Sequence, residues 1–379
     1  MANTFDVVVL GLGAAGSSAL YHLSKSGKRV CGIDQYSPPH NLASSHGQSR
    51  ITRQAYHENP LYVPFILKAY DLWDELALAS GRKLFHRTGG IYLGAADSGV
   101  IVGSELSAKT HQIPYDYLTA EEISKRYPFF KTDANTIGIL EHNAGILFPE
   151  ECIRANLEVA ERNNASIKLE EKILRIDYDA GIIRIETNKE QYETEKLIVA
   201  AGAWTPELMI DLHLPLKVER QVLFWFRDKG SQPSDSKYGN LPVYIWEYET
   251  GKTFYGFPDL GDGFKIAHHH AGAQTSPEQL NRIVATEEVK EMESVVKSYL
   301  GIDPVFNYAT TCMYTNTPDN DFILDYHPAN ENIIIASPCS GHGFKFASVN
   351  GKILSDMALE NKQELNISMF SIARFTSSL

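Results

Sequence analysis

Residues 5 to 10 read Phe-Asp-Val-Val-Val-Leu and run directly into Gly11-Leu12-Gly13-Ala14-Ala15-Gly16. An apolar run of this kind fills a parallel strand that is covered on both faces. Ala15, Ala19 and Leu23 then recur at four-residue spacing and Gly27 closes the segment, which predicts a short helix packing small residues on a sheet. Arg29 to Ile33 forms a second strand that ends at Asp34. Together these make one βαβ unit of the dinucleotide-binding type. Gly11, Gly13 and Gly16 let the backbone approach a pyrophosphate, the helix N-terminus faces its charge, and Asp34 accepts hydrogen bonds from ribose hydroxyls. An acid at the end of the second strand repels a 2'-phosphate, so the unit suits FAD or NAD and does not choose between them.

The rest of the chain alternates two kinds of text. Helical spacing of Phe65, Ala69, Leu72, Trp73 and Leu76 ends at Gly81, Thr119-x-x-Glu122 is a capping box, and Pro149 opens a helix with Glu150 and Glu151 in its first turn. From 217 to 270 the signals are those of an antiparallel sheet rich in aromatics, followed by a helix predicted from Ser276 to Leu300. The strand Asn332 to Ala336, a loop over Pro338 to Gly343 and a closing helix return to α/β text. The expected fold class is α/β, a Rossmann-like dinucleotide-binding domain interrupted by an α+β substrate domain with a mostly antiparallel sheet. The boundaries expected are 1–85, 146–216 and 317–379 for the first domain and 86–145 and 217–316 for the second.

Among 379 residues, 47 acidic and 35 basic side chains give a formal net charge of -12 without a basic stripe. That balance argues against nucleic acid as a partner and against an anionic membrane. Four scattered cysteines make neither a disulfide scaffold nor a CxxC zinc site. With no signal-peptide pattern and no membrane-length apolar run, a cytoplasmic protein is expected. The ending Ser377-Ser378-Leu379 is one change from a peroxisomal address, a minor alternative to an ordinary frayed tail.

Five separated segments fall in a telling order: Ser44-Ser45-His46-Gly47-Gln48-Ser49-Arg50-Ile51-Thr52-Arg53, Tyr255-Gly256-Phe257-Pro258, Lys265, Cys312-Met313-Tyr314-Thr315, and Ser340-Gly341-His342-Gly343-Phe344-Lys345-Phe346. In order and approximate spacing they resemble the monomeric sarcosine oxidase and N-methyltryptophan oxidase family of flavoenzymes, within the D-amino-acid oxidase-like superfamily. The likeness covers nearly the whole chain. It implies FAD as the cofactor, an N-methyl or other secondary amino acid as substrate, dioxygen as acceptor, and a monomer.

The resemblance also implies roles, position by position. Cys312 matches the cysteine that carries FAD through a thioether. Ser44, Gly341 and Gly343 lie in segments that match the cofactor-binding ones, and Arg50 and His46 match basic residues beside the flavin ring. Lys265 matches the lysine that speeds reaction with oxygen. A cation at about 4 Å stabilises a unit anion by ~4 kcal/mol at an effective dielectric near ~20, which is up to about three decades in rate. Arg53 and Lys345 match the pair that binds the substrate carboxylate, through charge-assisted bonds that hold the adjacent N-methyl carbon over the flavin. Glu58 is placed to orient Arg53. Tyr255, Tyr314 and His269 match residues lining the substrate pocket, with His269 a candidate for biasing amine protonation. Ile245 and Trp246 lie where the pocket wall varies in the family.

Two features depart from these patterns or compete with them. Where the family commonly has a His-His pair before the loop glycine and Asp after it, this chain has Ser45-His46 and Gln48. His268-His269-His270 invites a metal reading, but strand alternation puts His268 and His270 on one face without further ligands, and no metal is expected. The function expected is oxidative demethylation of a small N-methyl amino acid, giving amine, formaldehyde and hydrogen peroxide. The alternative is an oxidase or dehydrogenase of cyclic or larger substrates of the pipecolate, proline or N-methyltryptophan type.

Overall fold

The computed structural model describes residues 3–178, 181–229, 236–237 and 239–378. The first strand, Asn3–Leu10, lies in an eight-stranded sheet, flanked by Val30–Ile33 on one side and Gln191–Val199 on the other, both parallel to it. Asn330–Ser337 adds in parallel beside Gln191–Val199, and Ser166–Lys168 beside Val30–Ile33. Antiparallel strands Ile173–Asp177, Ile183–Thr187 and Ile323–His327 complete the sheet. Val8, Val9 and Leu10 are fully buried, as a central parallel strand requires. Helices Ala14–Ser24, Val63–Ser80, Pro149–Arg162 and Ala347–Ala358 share one apolar core against this sheet. The first and last approach so closely that a Cβ on Gly351 would lie 2.2 Å from Ser18 Oγ.

The second sheet has nine strands. Its order runs Gln274–Thr275, Lys217–Asp228, Phe264–His269, Lys252–Phe257, Val243–Glu249, Gly90–Ala95, Thr136–Glu141, Tyr115–Leu118, with Pro304–Asn316 paired along Lys217–Asp228. Side-chain alternation gives it two faces. Phe224, Phe226, Tyr244, Trp246, Phe254, Phe264 and Ile266 meet Phe129, Phe130 and the helix Thr286–Tyr299 on the far side. Leu223, Trp225, Ala267 and Cys312 cluster on the other side, toward the first sheet. A three-stranded sheet of Arg50–Thr52, Gly145–Leu147 and Phe85–Arg87 packs on that near side, through Ile51 and Ile146 against Val243, Tyr255 and Phe257.

The capping box at Thr119 and Glu122 opens the helix Ala120–Arg126, and Gly81 ends Val63–Ser80 at φ 71°. One helix is shorter than its sequence predicts. Residues 276–285 are not helical, and the helix begins at Thr286, where Glu288 reaches back to Ala285 N at 2.8 Å. Long-range contacts override the local signal: Arg220 donates to Asn281 O and Ile283 O, Arg282 to Asn41 O and Leu42 O, and Leu280 is buried among Ala203, Val218 and Met313. Among the described residues no helix is long and apolar enough to cross a membrane. The C-terminal tripeptide ends at Leu379, which lies outside the described residues.

Candidate functional site

One continuous cavity runs between the two sheets. Gly11, Gly13, Asp34 and Ser44 line one end; Arg50, Cys312, Tyr255 and Tyr314 the middle; and Arg53, Glu58, Ile245, His269, Gly341, Gly343 and Lys345 the rest. Four residues that the sequence places at the site do not line it: Gly16, His46, Trp246 and Lys265.

At the first end the turn is shaped to admit a phosphate. A Cβ on Gly13 would meet nothing nearer than Ser45 Oγ at 3.9 Å, so the space beside it is open to the cavity. Gly16 serves packing instead, since its Cβ would lie 1.8 Å from Gly11 O. The helix Ala14–Ser24 has no side-chain cap, and Ala14 and Ala15 line the cavity, which leaves its first N–H groups for an anion. Asp34 is buried and accepts from Leu12 N at 2.7 Å and Tyr36 N at 2.8 Å. Burial pushes its carboxyl upward against those two bonds. The donors, the acid and the open glycine fit a pyrophosphate-bridged dinucleotide such as FAD.

In the middle, Arg50 is held by the loop that precedes it. Its Nη1 donates to Ser49 O at 2.8 Å and its Nη2 to Ser44 O at 2.6 Å. Cys312 is a buried free thiol opposite Gln221 in the sheet. Burial pushes that thiol up, while Arg50 and Lys265 pull it back. Lys265, matched above to the lysine that speeds reaction with oxygen, lies behind the 47–49 turn, 2 % exposed, with Phe257 under its amine at 4.5 Å. His46 is likewise behind the loop, in a second cavity with Gln48, Glu150, Trp225 and Tyr308. Burial, then Arg50 and Lys265, push its imidazole down to about 3, so it is neutral.

The far end holds two buried cations. Arg53, 1 % exposed, donates to Ala55 O at 3.1 Å and forms a short ion pair with Glu58, stacking over the Tyr56 ring at 4.4 Å. Its Nε has no partner. Burial opposes ionisation of Glu58, but Arg53 and His57 hold its carboxyl well below the usual range. Lys345 donates to His342 O at 2.9 Å and pairs with no carboxylate among the described residues. Burial, reinforced by Arg53, pushes its amine down to about 7. Two buried basic groups facing one cavity with donors to spare describe a receptor for a carboxylate.

Tyr255, Tyr314 and His269 meet on the wall, with Tyr314 Oη 3.5 Å from Tyr255 Oη and 3.4 Å from His269 Nδ1. Gly341, at φ 76°, lies over them; a Cβ there would come within 2.6 Å of the Tyr314 ring. Burial, with His270 adding to it, keeps the His269 imidazole neutral. Ile245 stands opposite Tyr255 and lines the cavity, whereas Trp246 faces the other core. The histidine triplet does not alternate as its sequence predicts. The strand ends at His269 and His270 turns at φ 53°, so its ring lies 4.2 Å from that of His269 and its Nδ1 3.4 Å from Glu219, away from His268.

Several residues of the site carry no signal that sequence reasoning used. Glu141, fully buried, accepts from Gln54 N, Ala55 N and Tyr92 Oη and so fixes the segment carrying Arg53. His342 accepts at Nδ1 from Tyr56 Oη and donates at Nε2 to Asn320 O, which pins the loop before Lys345. His57 lines the cavity with its Nδ1 unpartnered. The place of His342 between Gly341 and Gly343 was visible; its partner Tyr56 is remote in sequence.

Comparison with known proteins agrees with this geometry. The family model described as FAD dependent oxidoreductase matches residues 6–357. Monomeric sarcosine oxidase from Streptomyces avermitilis is 38% identical over 384 residues, covering 100% of both chains. N-methyl-L-tryptophan oxidase from Escherichia coli is 33% identical over 375 residues, covering 98% of this chain and 99% of that one. Among solved structures, L-proline dehydrogenase from P. horikoshii has a similar fold, with a TM-score of 0.85 at 18% identity over 100% of this chain and 99% of the other.

Proposed function

Because this chain belongs to the family of FAD-dependent oxidoreductases, we propose that it oxidises a secondary amino acid of the sarcosine type, releasing amine, formaldehyde and hydrogen peroxide. The observation that carries this reading is the meeting of Arg53 and Lys345 in one cavity, where Arg53, paired with Glu58, keeps an unpartnered Nε and Lys345 pairs with no carboxylate among the described residues. A substrate carboxylate completes that pair. The names of the relatives, sarcosine oxidase and N-methyl-L-tryptophan oxidase, support an N-methyl amino acid over other carboxylates.

FAD, when bound, supplies the two-electron acceptor; the chain supplies binding, orientation and charge. Gly11, Gly13, Asp34 and the N-terminus of Ala14–Ser24 hold the dinucleotide, with Ser44, Gly341 and Gly343 closing the cavity around it. Cys312 carries the flavin covalently through its Sγ, a reading supported by its place in the cavity beside Arg50. Arg53 and Lys345 fix the carboxylate, and Glu58 keeps the Arg53 guanidinium aimed. Tyr255, Tyr314 and neutral His269 surround the amine and favour its uncharged form, while Ile245 limits the side chain beyond it. Lys265, with Arg50 close by and the neutral His46 packed behind the same loop, lends positive potential to the reaction with dioxygen from behind the 47–49 turn. Residues 1–85, 146–216 and 317–379 make the FAD-binding domain and 86–145 and 217–316 the substrate domain, and a cytoplasmic monomer is the working form.

Acid precipitation of the purified protein tests the cofactor and a peroxide assay tests the reaction. Yellow colour should stay with the pellet, and sarcosine should yield peroxide faster than pipecolate or proline. Colour in the supernatant overturns the Cys312 attachment, and no peroxide from any secondary amino acid overturns the oxidase reading.

A further inference from the structure

Lys265 presents a problem that the cavity does not answer. It is a buried lysine whose proton is disfavoured by burial and then by the Arg50 charge, and among the described residues no carboxylate forms an ion pair with it. Its donors go instead to Gly47 O at 2.8 Å, Ser49 O at 2.8 Å and Ser49 Oγ at 3.0 Å. Those acceptors sit on one edge of a turn whose other edge is also occupied. Glu150, in the first turn of the helix Pro149–Arg162, accepts at Oε1 from Gly47 N at 2.8 Å and Gln48 N at 3.1 Å.

The backbone explains why both edges are available. Gly47 and Gln48 are consecutive left-handed residues, at φ 94° and 68°. In this turn the N–H groups of Gly47 and Gln48 converge on Glu150 Oε1 on one side, and the carbonyl oxygens of Gly47 and Ser49 meet Lys265 on the other. Leu223 packs against the turn, where a Cβ on Gly47 would lie 2.7 Å from its Cδ1. Arg50 is seated on the same turn through Ser49 O. Carboxylate, peptide turn and lysine amine therefore form a layered stack joined by hydrogen bonds on both edges of the turn.

We propose that Glu150 is a positioning residue that sets the 47–49 turn so that its carbonyl oxygens hold the Lys265 ammonium, with Arg50, at the edge of the flavin site. The proposal rests on the reading of Lys265 as the cation that promotes reaction with oxygen. Glu150 touches neither substrate nor cofactor and acts only through the turn.

The test compares Glu150→Ala, which removes the acceptor, with Glu150→Gln, which keeps a carbonyl oxygen at the same reach. In the FAD-loaded enzyme, Glu150→Ala should slow reoxidation of the reduced enzyme by oxygen by about tenfold or more. Anaerobic reduction by substrate should stay within about twofold, because no contact to the carboxylate pair is lost. Glu150→Gln should restore most of the oxygen rate, and Glu150→Ala combined with Lys265→Met should be no slower than Lys265→Met alone. Amide hydrogen exchange gives a readout independent of turnover: residues 44–50 should exchange faster in Glu150→Ala and in Lys265→Met, but not in Glu150→Gln. Unchanged exchange in Glu150→Ala, or rate losses that multiply in the double variant, would overturn the proposal. If Lys265→Met leaves reoxidation intact, the oxygen role of Lys265 falls, and the exchange measurement still decides whether Glu150 sets the turn. Should Glu150→Ala not fold, Glu150→Asp, one methylene shorter, is read in the same way.

Discussion

Replacing Lys345 by Met keeps the volume and apolar stem of the side chain while removing its charge, and the structure says what that charge is worth. The ammonium has one internal acceptor, His342 O at 2.9 Å, and shares its cavity with Arg53. A charge-assisted bond from Lys345 to a bound carboxylate contributes about 1.5–3 kcal/mol, so Lys345→Met should weaken carboxylate binding by roughly 10- to 150-fold. The pH dependence follows from the amine being pushed down to about 7 by burial and by Arg53. Below that value the lysine is charged and binds; as pH rises through it the free enzyme loses the cation and affinity falls. Propionate, which has the carboxylate but no amine to titrate, isolates the effect, with its Kd read from perturbation of the flavin spectrum. At about pH 6, one unit below the Lys345 value, the variant should bind far more weakly than the native enzyme. Across the neutral range its Kd should be flat while the native Kd rises. Equal affinity at the lower pH, or a pH slope that survives in the variant, would refute the assignment of Lys345 to the carboxylate.

The same depression predicts a stability effect. The unfolded chain holds the Lys345 proton up to the ordinary lysine value of 10.5 and the folded one only to about 7, so folding strengthens as pH rises between them. Lys345→Met removes that slope and, near neutrality, stabilises the cofactor-free protein by up to ~4–5 kcal/mol, readable by urea titration. Lys265→Met should slow reoxidation by up to about three decades with substrate reduction unchanged in stopped-flow traces. Cys312→Ala should release flavin into the acid supernatant without abolishing FAD binding, since Gly13 and Asp34 remain. Gly13→Val fills the open space beside the turn and should abolish FAD uptake, measured by fluorescence titration.

How far the sequence reaches can be judged residue by residue. Gly11, Gly13, Gly16 and Asp34 are a local unit, and their spacing alone specifies strand, turn and helix. Arg53 and Lys345 belong to remote segments, and only the family pattern placed them together. That pattern did not reveal that Lys265 and His46 lie behind the 47–49 turn, because depth depends on which way a turn's carbonyls point, and hence on the left-handed Gly47 and Gln48. The irregular 276–285 segment was illegible for a related reason. Its conformation is imposed by Arg220 and Arg282, which donate to backbone oxygens that no side-chain pattern records. His270 leaves the strand to meet Glu219, a contact outside the reach of strand periodicity.

The central claim is that the Arg53 and Lys345 cavity delivers a secondary amino acid to FAD. Anaerobic mixing of the purified enzyme with sarcosine, followed by admission of oxygen, tests it directly. The account predicts bleaching of the flavin band on mixing, and then recovery of colour with equal amounts of hydrogen peroxide and formaldehyde. A flavin that stays oxidised with sarcosine and with every other secondary amino acid tried would contradict it.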